Sequence, residues 1–568
     1  MELNSTKMRT AVNELSNVLR SEDIKEDYLE LYAGSNVLTT VNNIKNQVIY
    51  GRRGTGKTHL LNALKELLYQ EMYDKRIYPV YIDLRNTSTF EETFANNPKL
   101  NALVYFQNIL KMLVEHIVEE FEFIVNPLSH LENFQVNQIR YELSSHLKEL
   151  NIVLNGNKFM KQGEFSIDSE SVKALVGDFS TTGARIKPEF KNTKKAQENG
   201  IKFISFGELT KILNNIVRIL SLNNIILMLD EWSEIDISTQ PYLSHLLKIA
   251  FVSSSIKLKI GAIKFRTRLM IDDNDSRFGL EDGGDIFGND LDNKYVYELN
   301  EDATKDYFNE LLFKHLSKHY PELHGIYFSE KNAKPRINFI GEFFTHQALG
   351  EILIGSAGVS RDFLNIFISA YEEFISNHSD KKVSVHNIRK ATQQWYSVDK
   401  QNRIDNEPNA KKLLDHIIDY VLREKKVTHC LISQKYFSNK YLQTLVDLRV
   451  IHLRKRGYSH QDIKGEVYDV YSIDYGCFTN NNYTTNQLDT KTADDIEVID
   501  NYREIRRIAL SDEIFSKHRL EVGEGLICDK CNNVIDTSHP AFLKQSLCTN
   551  CWERYESSIP IQEAATRK

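Results

Sequence analysis

Residues 51–58, GRRGTGKT, have the types and the spacing of a phosphate-binding loop. Gly51, Gly56, Lys57 and Thr58 match the pattern G-x-x-x-x-G-K-[ST], between the apolar run VIY and the helical run HLLNALKELLYQ. Glycines let backbone N–H groups turn toward a phosphate, the start of the helix attracts an anion, and the lysine adds charge between the β- and γ-phosphates of a nucleotide. We therefore expect ATP to bind here, with Thr58 as a ligand of Mg²⁺. The loop residues expected to contact ATP are Gly51, Arg52, Arg53, Gly54, Thr55, Gly56, Lys57, Thr58 and His59.

A buried strand that ends in acidic residues would supply the second half of such a site. The run NIILMLDEWSE at 224–234 fits this description, and we expect Asp230 to hold Mg²⁺ and Glu231 to polarise the attacking water. Adjacent residues of a strand point to opposite faces, so the two acids can reach different atoms only if the chain turns where the strand ends. Trp232 and Ser233 are the predicted exit from the strand.

Four cysteines near the end of the chain have the spacing of a zinc site. Two C-x-x-C pairs are separated by sixteen residues, and they are Cys528 with Cys531 and Cys548 with Cys551. Four thiolates complete a tetrahedron and leave no position for water, so the expected zinc is structural rather than catalytic. Two disulfides are the competing interpretation, which the low total of six cysteines disfavours. His518 and His539 are not expected to be ligands, and Cys430 and Cys477 are expected to be unpaired thiols.

The segments between these motifs predict an α/β fold with a parallel sheet. Short β-rich runs at 48–50, 78–84, 224–230 and 256–263 alternate with helical runs at 58–74, 102–123 and 207–221. Apolar strands alternating with amphipathic helices are typical of a parallel sheet that helices cover on both faces. Residues at about 125–200 interrupt the alternation, and this insertion contains the basic stretch RIKPEFKNTKK, which we interpret as a solvated loop.

Length and charge limit the class of protein. The 568 residues correspond to three or four domains at roughly 150 residues per domain. Because 71 Lys and Arg face 78 Asp and Glu, any contact with a polyanion must be local. No apolar run approaches the roughly 20 residues that span a bilayer, and the first thirty residues do not resemble a secretory signal. We therefore expect a cytoplasmic protein that does not contact membranes.

Taken together, residues 30–476 resemble the AAA+ ATPases, and more narrowly their origin-recognition and initiator clade. The most specific part is SAGVSRDFLNIF at 356–367, which is similar to the lid-helix motif of that clade. The resemblance implies that Arg361 is the sensor 2 arginine that reaches the γ-phosphate, and it also implies self-assembly into an oligomer. For sensor 1 the candidates are Lys264, Arg266, Thr267 and Arg268. For the intersubunit arginine finger the candidates are Arg268 and Arg277.

The predicted domain order follows from the motifs and the resemblance. It comprises an N-terminal helical segment (1–32), a P-loop ATPase core (33–300) with the insertion, a helical lid (301–400), a winged helix (401–476), a linker (477–510) and a zinc-ribbon tail (511–568). The winged helix is predicted as three helices followed by a hairpin, from the runs KLLDHIIDYVL, SQKYF, NKYLQTLVDL, RVIHLRKR and GEVYDVYSID.

Binding of DNA and binding of a protein are both open for the winged helix. Residues 409–476 carry twelve Lys or Arg against eight Asp or Glu, so this segment is positive in a chain whose net charge is −7. The side chains expected to face a phosphate backbone are Lys440, Gln443, Thr444, Arg454, Lys455 and Arg456. Asp447 on the same helix argues against this surface, and winged helices also bind proteins.

The sequence therefore predicts a magnesium-dependent, ATP-hydrolysing molecular switch. Lys57, Glu231 and Arg361 are the expected catalytic residues, and the cofactors are ATP, Mg²⁺ and Zn²⁺. One alternative is a DNA-binding initiator or transposition-type loader whose DNA affinity is set by ATP. The other is a sensor ATPase that binds a protein through the insertion or the zinc tail. A role in bacterial genome maintenance or antiviral defence is implied by the resemblance alone.

Overall fold

A computed structural model describes most of the chain, and it divides the chain into two compact units. The first unit contains Met1–Tyr295, Lys305–Ile340 and Val359–Arg361, and the second contains Val296–Thr304, Gly341–Gly358 and Asp362–Lys568. The residues that the structure describes are 2–87, 97–126, 133–154, 157–158, 202–273, 276–331, 334–336, 338–376, 381–459, 465–480, 508–537 and 539–555. The basic stretch of the insertion and most of the predicted linker lie outside these residues.

The helices are numbered in chain order. They are α1 (Thr6–Ser16), α2 (Tyr28–Leu31), α3 (Ser35–Val41), α4 (Lys57–Gln70), α5 (Met72–Lys75), α6 (Pro98–Glu119), α7 (Phe121–Val125), α8 (Asn133–Leu154), α9 (Phe206–Ile219), α10 (Gln240–Phe251), α11 (Glu301–His319), α12 (Glu322–Tyr327) and α13 (Asn338–Phe343). The later helices are α14 (His346–Ser356), α15 (Ser360–Ser376), α16 (Val385–Trp395), α17 (Asn402–Asp405), α18 (Pro408–Ile418), α19 (Lys440–Asp447), α20 (Tyr475–Asn480), α21 (Asp512–Glu521) and α22 (Pro540–Gln545).

The strands form one central parallel sheet and several small antiparallel sheets. The strands of the first unit are β1 (Gln47–Tyr50), β2 (Ile77–Asp83), β3 (Asn157–Lys158), β4 (Lys202–Phe203), β5 (Asn224–Asp230), β6 (Ile256–Ala262), β7 (Met270–Asp273), β8 (Ser276–Gly279), β9 (Phe287–Asp290), β10 (Phe328–Ser329) and β11 (Lys334–Pro335). Those of the second unit are β12 (His429–Ser433), β13 (Ile451–Ser459), β14 (Val467–Ile473), β15 (Gly525–Ile527) and β16 (Val534–Asp536).

The central sheet confirms the α/β prediction. Its order is β2-β5-β6-β1-β9, and every neighbouring pair is parallel. The four predicted runs are strands within one residue of their predicted bounds. The fifth strand, β9, was not predicted, because its residues FGND are polar and mostly exposed and give no apolar signal.

Both faces of this sheet are buried under helices. Along β5, Leu227 and Leu229 belong to a large apolar cluster that includes α6, α9 and α10. The alternate residues Ile226 and Met228 belong to a second cluster that includes α3 and α4. Since successive residues of a strand point to opposite faces, a strand buried on both faces reads as a continuous apolar run.

The second unit contains an antiparallel three-stranded sheet in the segment predicted as a winged helix. Its order is β12-β14-β13, so the expected hairpin is β13 with β14. The strand β12 was not predicted, because its residues HCLIS lie in a segment whose sequence is also compatible with a short helix. The predicted helical run SQKYF contains a 3-10 turn at Gln434–Tyr436. Among the described residues, no helix is both long enough and apolar enough to cross a membrane.

Candidate nucleotide site and candidate metal centre

The loop between β1 and α4 adopts a conformation that depends on its glycines. The backbone N–H of Gly51 still donates to the carbonyl oxygen of Ala262 at 3.1 Å, as if β1 continued for one more residue. Gly54 and Gly56 then have φ of 86° and 90°, the left-handed region that favours glycine. Gly56 immediately precedes α4, so the positive end of this helix faces the loop.

Lys57 lies buried inside the curve of the loop. Its Nζ donates to the carbonyl oxygens of Gly51, at 2.7 Å, and Arg52, at 3.3 Å. Burial lowers the pKa of Lys57, and the nearby carboxylates of Asp230 and Glu231 oppose that effect. The lysine of the loop, Asp230 at the end of β5 and Glu231 after it are therefore within electrostatic reach of one another.

Several other loop side chains have protein partners that the sequence did not reveal. The backbone N–H and the Nε of Arg52 both donate to Asp292 Oδ1, at 2.6 and 3.1 Å. Arg53 forms an ion pair with Glu234 at 2.8 Å, and Thr55 Oγ1 donates to the Arg52 carbonyl oxygen at 2.8 Å. Asp292 lies 240 residues from the loop and belongs to no motif, so no sequence signal could have identified it.

His59 faces the N-terminal helices instead of the loop. Its Nε2 is 2.8 Å from the carbonyl oxygen of Tyr28, and its ring packs edge-on against Tyr32 and His315. Burial lowers the pKa of His59 to about 4, so the ring is neutral near pH 7. Its ring is held in the core, and a contact with a nucleotide through this side chain stays a prediction.

Asp230 ends β5 as a fully buried carboxylate with two fixed oxygens. Oδ2 accepts from the hydroxyl of Tyr81 at 3.0 Å, and Oδ1 accepts from the backbone N–H of Glu231 at 2.9 Å. The carboxylate lies over Gly261 of β6, where a Cβ would be only 2.4 Å from Oδ1 and 3.2 Å from Leu61 of α4. Only a glycine at position 261 leaves room for the Asp230 carboxylate beneath α4.

Glu231 stands at the turn that the sequence required. Its φ is 57° and its ψ is 36°, and a 3-10 turn follows at Trp232–Glu234, so the two acids do not continue the alternation of a strand. A non-glycine residue in this region costs about 1–2 kcal/mol, which indicates that the surroundings hold it there. Burial raises the pKa of Glu231, Asp230 adds to the rise, and Lys57 and Arg85 oppose it.

The residues proposed for sensor 1 follow β6 and have different partners. Thr267 Oγ1 donates to the Ile263 carbonyl oxygen at 2.7 Å and is 3.4 Å from Ser233 Oγ, in the turn after Glu231. Lys264 instead pairs with Asp290 at 2.6 Å. The backbone of Arg266 and of Arg268 is hydrogen-bonded to the Gln240 side chain. Arg277 lies on β8 and pairs with Asp272 and Glu281 at the surface. The identities of sensor 1 and of the arginine finger stay predictions.

Arg361, from the predicted lid-helix motif at 356–367, lies directly against the loop. Its backbone N–H donates to the Gly54 carbonyl oxygen at 3.2 Å. A Cβ on Gly54 would be 2.9 Å from Arg361 Cβ and 3.1 Å from both its Nε and Val359 Cγ1. Ser360 at the start of α15 is held by the hydroxyl of Tyr307 at 2.7 Å. The structure thus brings together the loop, the two acids and the lid arginine within one compact unit.

This set of residues fits a magnesium nucleoside triphosphate. The loop offers backbone N–H groups, a buried lysine and a helix start to phosphate oxygens, while Thr58 and the buried Asp230 provide the oxygen ligands that Mg²⁺ prefers. Arg361 and Val359 can approach the loop this closely only because Gly54 lacks a side chain.

The four cysteines converge in the tail with the dimensions of a tetrahedral metal site. Their sulfur atoms all lie within 4.8 Å of one another, and Cys528 to Cys551 and Cys531 to Cys548 measure 3.7 and 3.8 Å. Zinc–sulfur bonds of about 2.3 Å in a tetrahedron place neighbouring sulfurs about 3.8 Å apart. All four are free thiols, so the prediction that they form one cluster, and not disulfides, is confirmed.

Hydrogen bonds favour the thiolate at Cys531, and the nearby histidines bond to backbone groups elsewhere. The backbone N–H of Asn533 lowers the pKa of Cys531 to about 6, and the amide of Asn550 is 3.7 Å from the same sulfur. His518 Nε2 is instead 2.7 Å from the Asn409 carbonyl oxygen, and His539 Nδ1 accepts from the Ala541 N–H at 3.2 Å. Cys430 and Cys477 are buried and free, as predicted.

The surface predicted to contact phosphates is partly engaged within the protein. Lys440 pairs with Glu524 of the tail at 2.6 Å, and Tyr441 donates to the same carboxylate at 2.7 Å. The prediction for Arg454 is wrong: its side chain is buried, donates from Nε to Ser472 at 2.8 Å and lies 3.8 Å from Glu298. This inward orientation follows from its place on β13, where alternate residues face the core.

Gln443 and Thr444 bond back to their own segment, and two basic residues of β13 stay at the surface. Gln443 Nε2 donates to the Phe437 carbonyl oxygen at 3.0 Å, and Thr444 Oγ1 donates to that of Lys440 at 2.8 Å. Lys455 and Arg456 are exposed, and the Arg456 guanidinium lies 4.1 Å from the centre of the Phe437 ring.

Part of the first unit is similar to a known protein family. Residues 31–149 match the family model of the bacterial DnaA ATPase domain. No curated protein sequence matches the chain. This match and the order of the parallel sheet fit the AAA+ P-loop fold.

Several solved structures are similar to the chain at low sequence identity. The Aeropyrum pernix ORC1 protein in complex with DNA is 12% identical over 80% of this chain and 93% of that chain, with a TM-score of 0.28. Drosophila ORC bound to DNA is 11% identical over 85% and 92%, with a TM-score of 0.29. The Aeropyrum pernix ORC2 protein in ADPNP–ADP complexes is 10% identical over 89% and 95%, with a TM-score of 0.26.

Proposed function

We propose that the protein is a magnesium-dependent, ATP-binding and ATP-hydrolysing molecular switch. The observations that support the proposal are that Lys57 of the loop lies within electrostatic reach of the acids at 230–231 and that Arg361 contacts Gly54 of the same loop. In this proposal Lys57 holds the β- and γ-phosphates, Thr58 and Asp230 hold Mg²⁺, and Glu231 orients the attacking water.

The chain's own residues account for the chemistry that such a switch needs. The Tyr81 hydroxyl and the Glu231 N–H hold both Asp230 oxygens in one orientation, which suits a ligand that must not rotate. The turn at Glu231 ends the alternation of the strand, and burial raises the pKa of Glu231, which makes it a better proton acceptor. Bound Mg²⁺ would neutralise charge on the phosphates.

Arg361 supplies the dependence on nucleotide state. A guanidinium that pairs with the γ-phosphate loses its partner after hydrolysis, so the start of α15 is held differently with ATP and with ADP. Its contact with Gly54 supports this role, because it places the arginine beside the backbone that would cradle the phosphates.

Two variants of the site test the proposal. Lys57→Ala should lose ATP binding in calorimetry, because a buried charge that faces phosphate is removed. Glu231→Gln should keep ATP affinity and lose turnover, because the amide cannot accept a proton. An unchanged hydrolysis rate in Glu231→Gln would reject the assignment of the base, and unchanged ATP binding in Lys57→Ala would reject the site.

For the tail we propose one structural Zn²⁺ held by the four cysteines. The sulfur distances support it, and Asn533 and Asn550 provide outer hydrogen bonds to the sulfur of Cys531. A segment as short as 511–555 gains its folding free energy mainly from the metal.

A second candidate function is DNA binding whose affinity is set by ATP, as in an initiator or a transposition-type loader. The exposed Lys455 and Arg456 of β13 favour it, since they stand where a wing would meet a phosphate backbone. Fluorescence anisotropy with duplex DNA, with and without ATP, decides it: the proposal requires binding that weakens with salt, and no such binding in either state removes it.

A third candidate is a sensor ATPase that binds a protein through its tail. Ile527 and Trp552, each next to a cysteine of the cluster, are 57% and 64% exposed, which is unusual for large apolar side chains. A pull-down in which deletion of 511–568 loses no partner would count against it. We also propose self-assembly and a role in genome maintenance or antiviral defence. The identity of the neighbouring genes would test the proposed role.

A further inference from the structure

Tyr307, on α11, holds the residue that precedes Arg361. Its hydroxyl lies 2.7 Å from Ser360 Oγ, in a hydrogen bond in which either oxygen can donate. Burial raises the pKa of Tyr307 to about 12, so the hydroxyl keeps its proton near pH 7. Tyr307, Ser360, Arg361 and the loop at 51–58 all belong to the first compact unit. The contact therefore lies within the unit that contains the candidate nucleotide site.

The peptide group that joins Ser360 to Arg361 makes a second contact, with the loop itself. Its N–H, which belongs to Arg361, donates to the Gly54 carbonyl oxygen at 3.2 Å. Because a peptide group is planar, a bond to the Ser360 side chain and a bond to this N–H restrict the same short piece of backbone. The backbone from which the Arg361 side chain extends is thus held from two sides, by α11 and by the loop.

The ring of Tyr307 is itself fixed by aromatic neighbours. The Tyr295 ring stacks on it, with 3.7 Å between the ring centres and 10° between the planes, and Phe308 packs edge-on at 5.2 Å. The hydroxyl of Tyr295 lies beside Gly34, at 2.8 Å from the place that a Cβ on this glycine would take. The stacked pair therefore carries two hydroxyls in different surroundings, and the one on Tyr307 bonds Ser360.

We propose that Tyr307 is a positioning residue for Arg361 and that it acts through the hydroxyl of Ser360. An arginine side chain is long and flexible, so its reach to a phosphate depends on where its backbone stands. Sites of this kind tolerate displacements of only about 0.5 Å. Loss of the Tyr307 hydroxyl frees one side of the peptide at 360–361, which weakens the contact with the γ-phosphate and leaves the loop unchanged. The inference rests on the proposed role of Arg361 at the γ-phosphate.

The test measures the preference for ATP over ADP in the full-length protein. Affinities for both nucleotides with Mg²⁺ are determined by calorimetry in a Glu231→Gln background, which prevents turnover. Arg361→Ala should reduce the preference about tenfold, the effect of losing one charge-assisted hydrogen bond. Tyr307→Phe should reduce it about fivefold, the effect of losing one hydrogen bond between neutral groups, and should leave the affinity for ADP unchanged.

Tyr295→Phe is the matched control, because it removes the other hydroxyl of the same stacked pair and keeps both rings. We expect this variant to retain the full preference for ATP. Ser360→Ala removes the second partner of the proposed hydrogen bond and should reduce the preference as much as Tyr307→Phe does. The double variant should lose no more than either single variant, because both substitutions remove the same bond.

The outcomes distinguish the inference from the proposed function. If Arg361→Ala loses the preference while Tyr307→Phe keeps it, or weakens ATP and ADP binding alike, the positioning role is overturned and the switch proposal stands. An equal loss in Tyr295→Phe, or additive losses in the double variant, would also overturn it. If Arg361→Ala itself keeps the preference, the proposed role of the arginine fails and the inference fails with it. Should Tyr307→Phe not fold, Ser360→Ala decides, and a retained preference overturns the inference.

Discussion

Replacing Gly261 with alanine tests the geometry of the acid beneath the loop. The added Cβ would be 2.4 Å from Asp230 Oδ1, and real Cβ atoms essentially never approach a heavy atom closer than 3.0 Å, so the carboxylate must move by at least 0.6 Å. Leu61 Cδ1, at 3.2 Å from the same Cβ, restricts movement of the alanine in the other direction. Overpacking of this kind costs about 1–3 kcal/mol of folding stability.

The same shift should weaken the Mg²⁺ site more than the nucleotide site. Displacements near 1 Å cost up to about 100-fold in precisely arranged sites, so we expect the Mg²⁺-dependent gain in ATP affinity to fall about tenfold. ATP affinity without Mg²⁺ should change little, because the Lys57 Nζ is hydrogen-bonded to the carbonyl oxygens of Gly51 and Arg52.

Calorimetric titrations of ATP with and without Mg²⁺ measure this difference, and thermal unfolding measures the cost in stability. Gly207→Ala is the control, since a Cβ at that position on α9 meets nothing within 4 Å. If Gly261→Ala were folded and showed the wild-type dependence on Mg²⁺, the assignment of Asp230 as the magnesium ligand would be refuted.

Three further predictions concern the base, the tail and the buried histidines. Because burial raises the pKa of Glu231, lowering the pH should already reduce the rate of ATP hydrolysis before pH 4.5 is reached. A rate that stays constant down to pH 4.5 would contradict the role of Glu231 as a base. Removing zinc with a chelator, or replacing Cys531 with serine, should unfold the tail, which limited proteolysis would detect as new cleavage within 511–555; an equally resistant tail would exclude a structural metal. Burial lowers the pKa of His59 to about 4 and of His315 to about 3, so below their ordinary value of 6.5 the unfolded chain binds protons that the folded chain does not. Stability should therefore be unaffected above pH 6.5 and fall below it, by about 2 kcal/mol per histidine at pH 5, and denaturation midpoints equal at pH 7 and 5 would contradict this.

Local signals made the strands and both motifs predictable. The strands β2 and β5 are runs of apolar residues long enough to be buried on both faces, and periodicity identifies such runs. The strands β9 and β12 escaped prediction for opposite reasons. The first is polar and exposed at the edge of the sheet, and the second is a short apolar run between helical segments.

The partners of the site residues were beyond the reach of the sequence. Asp292, which receives Arg52, and Tyr81, which donates to Asp230, belong to no motif. The same holds for Gly261, whose missing side chain makes room for the acid. The prediction for Arg454 failed for a related reason. A basic residue in a wing-like segment was expected at the surface, but the pleat of β13 turns its side chain inward.

The sequence by itself determined the chemistry of this protein: a loop that can hold phosphates, acids that can follow a buried strand, and thiols at the spacing of a metal knuckle. These are local properties, written in residue types a few positions apart. Only the tertiary structure decided which distant residues meet, such as Arg361 with Gly54 and Asp362 with Arg449. Such contacts are set by the packing of helices and strands across hundreds of residues, and no local pattern encodes the distance between two side chains.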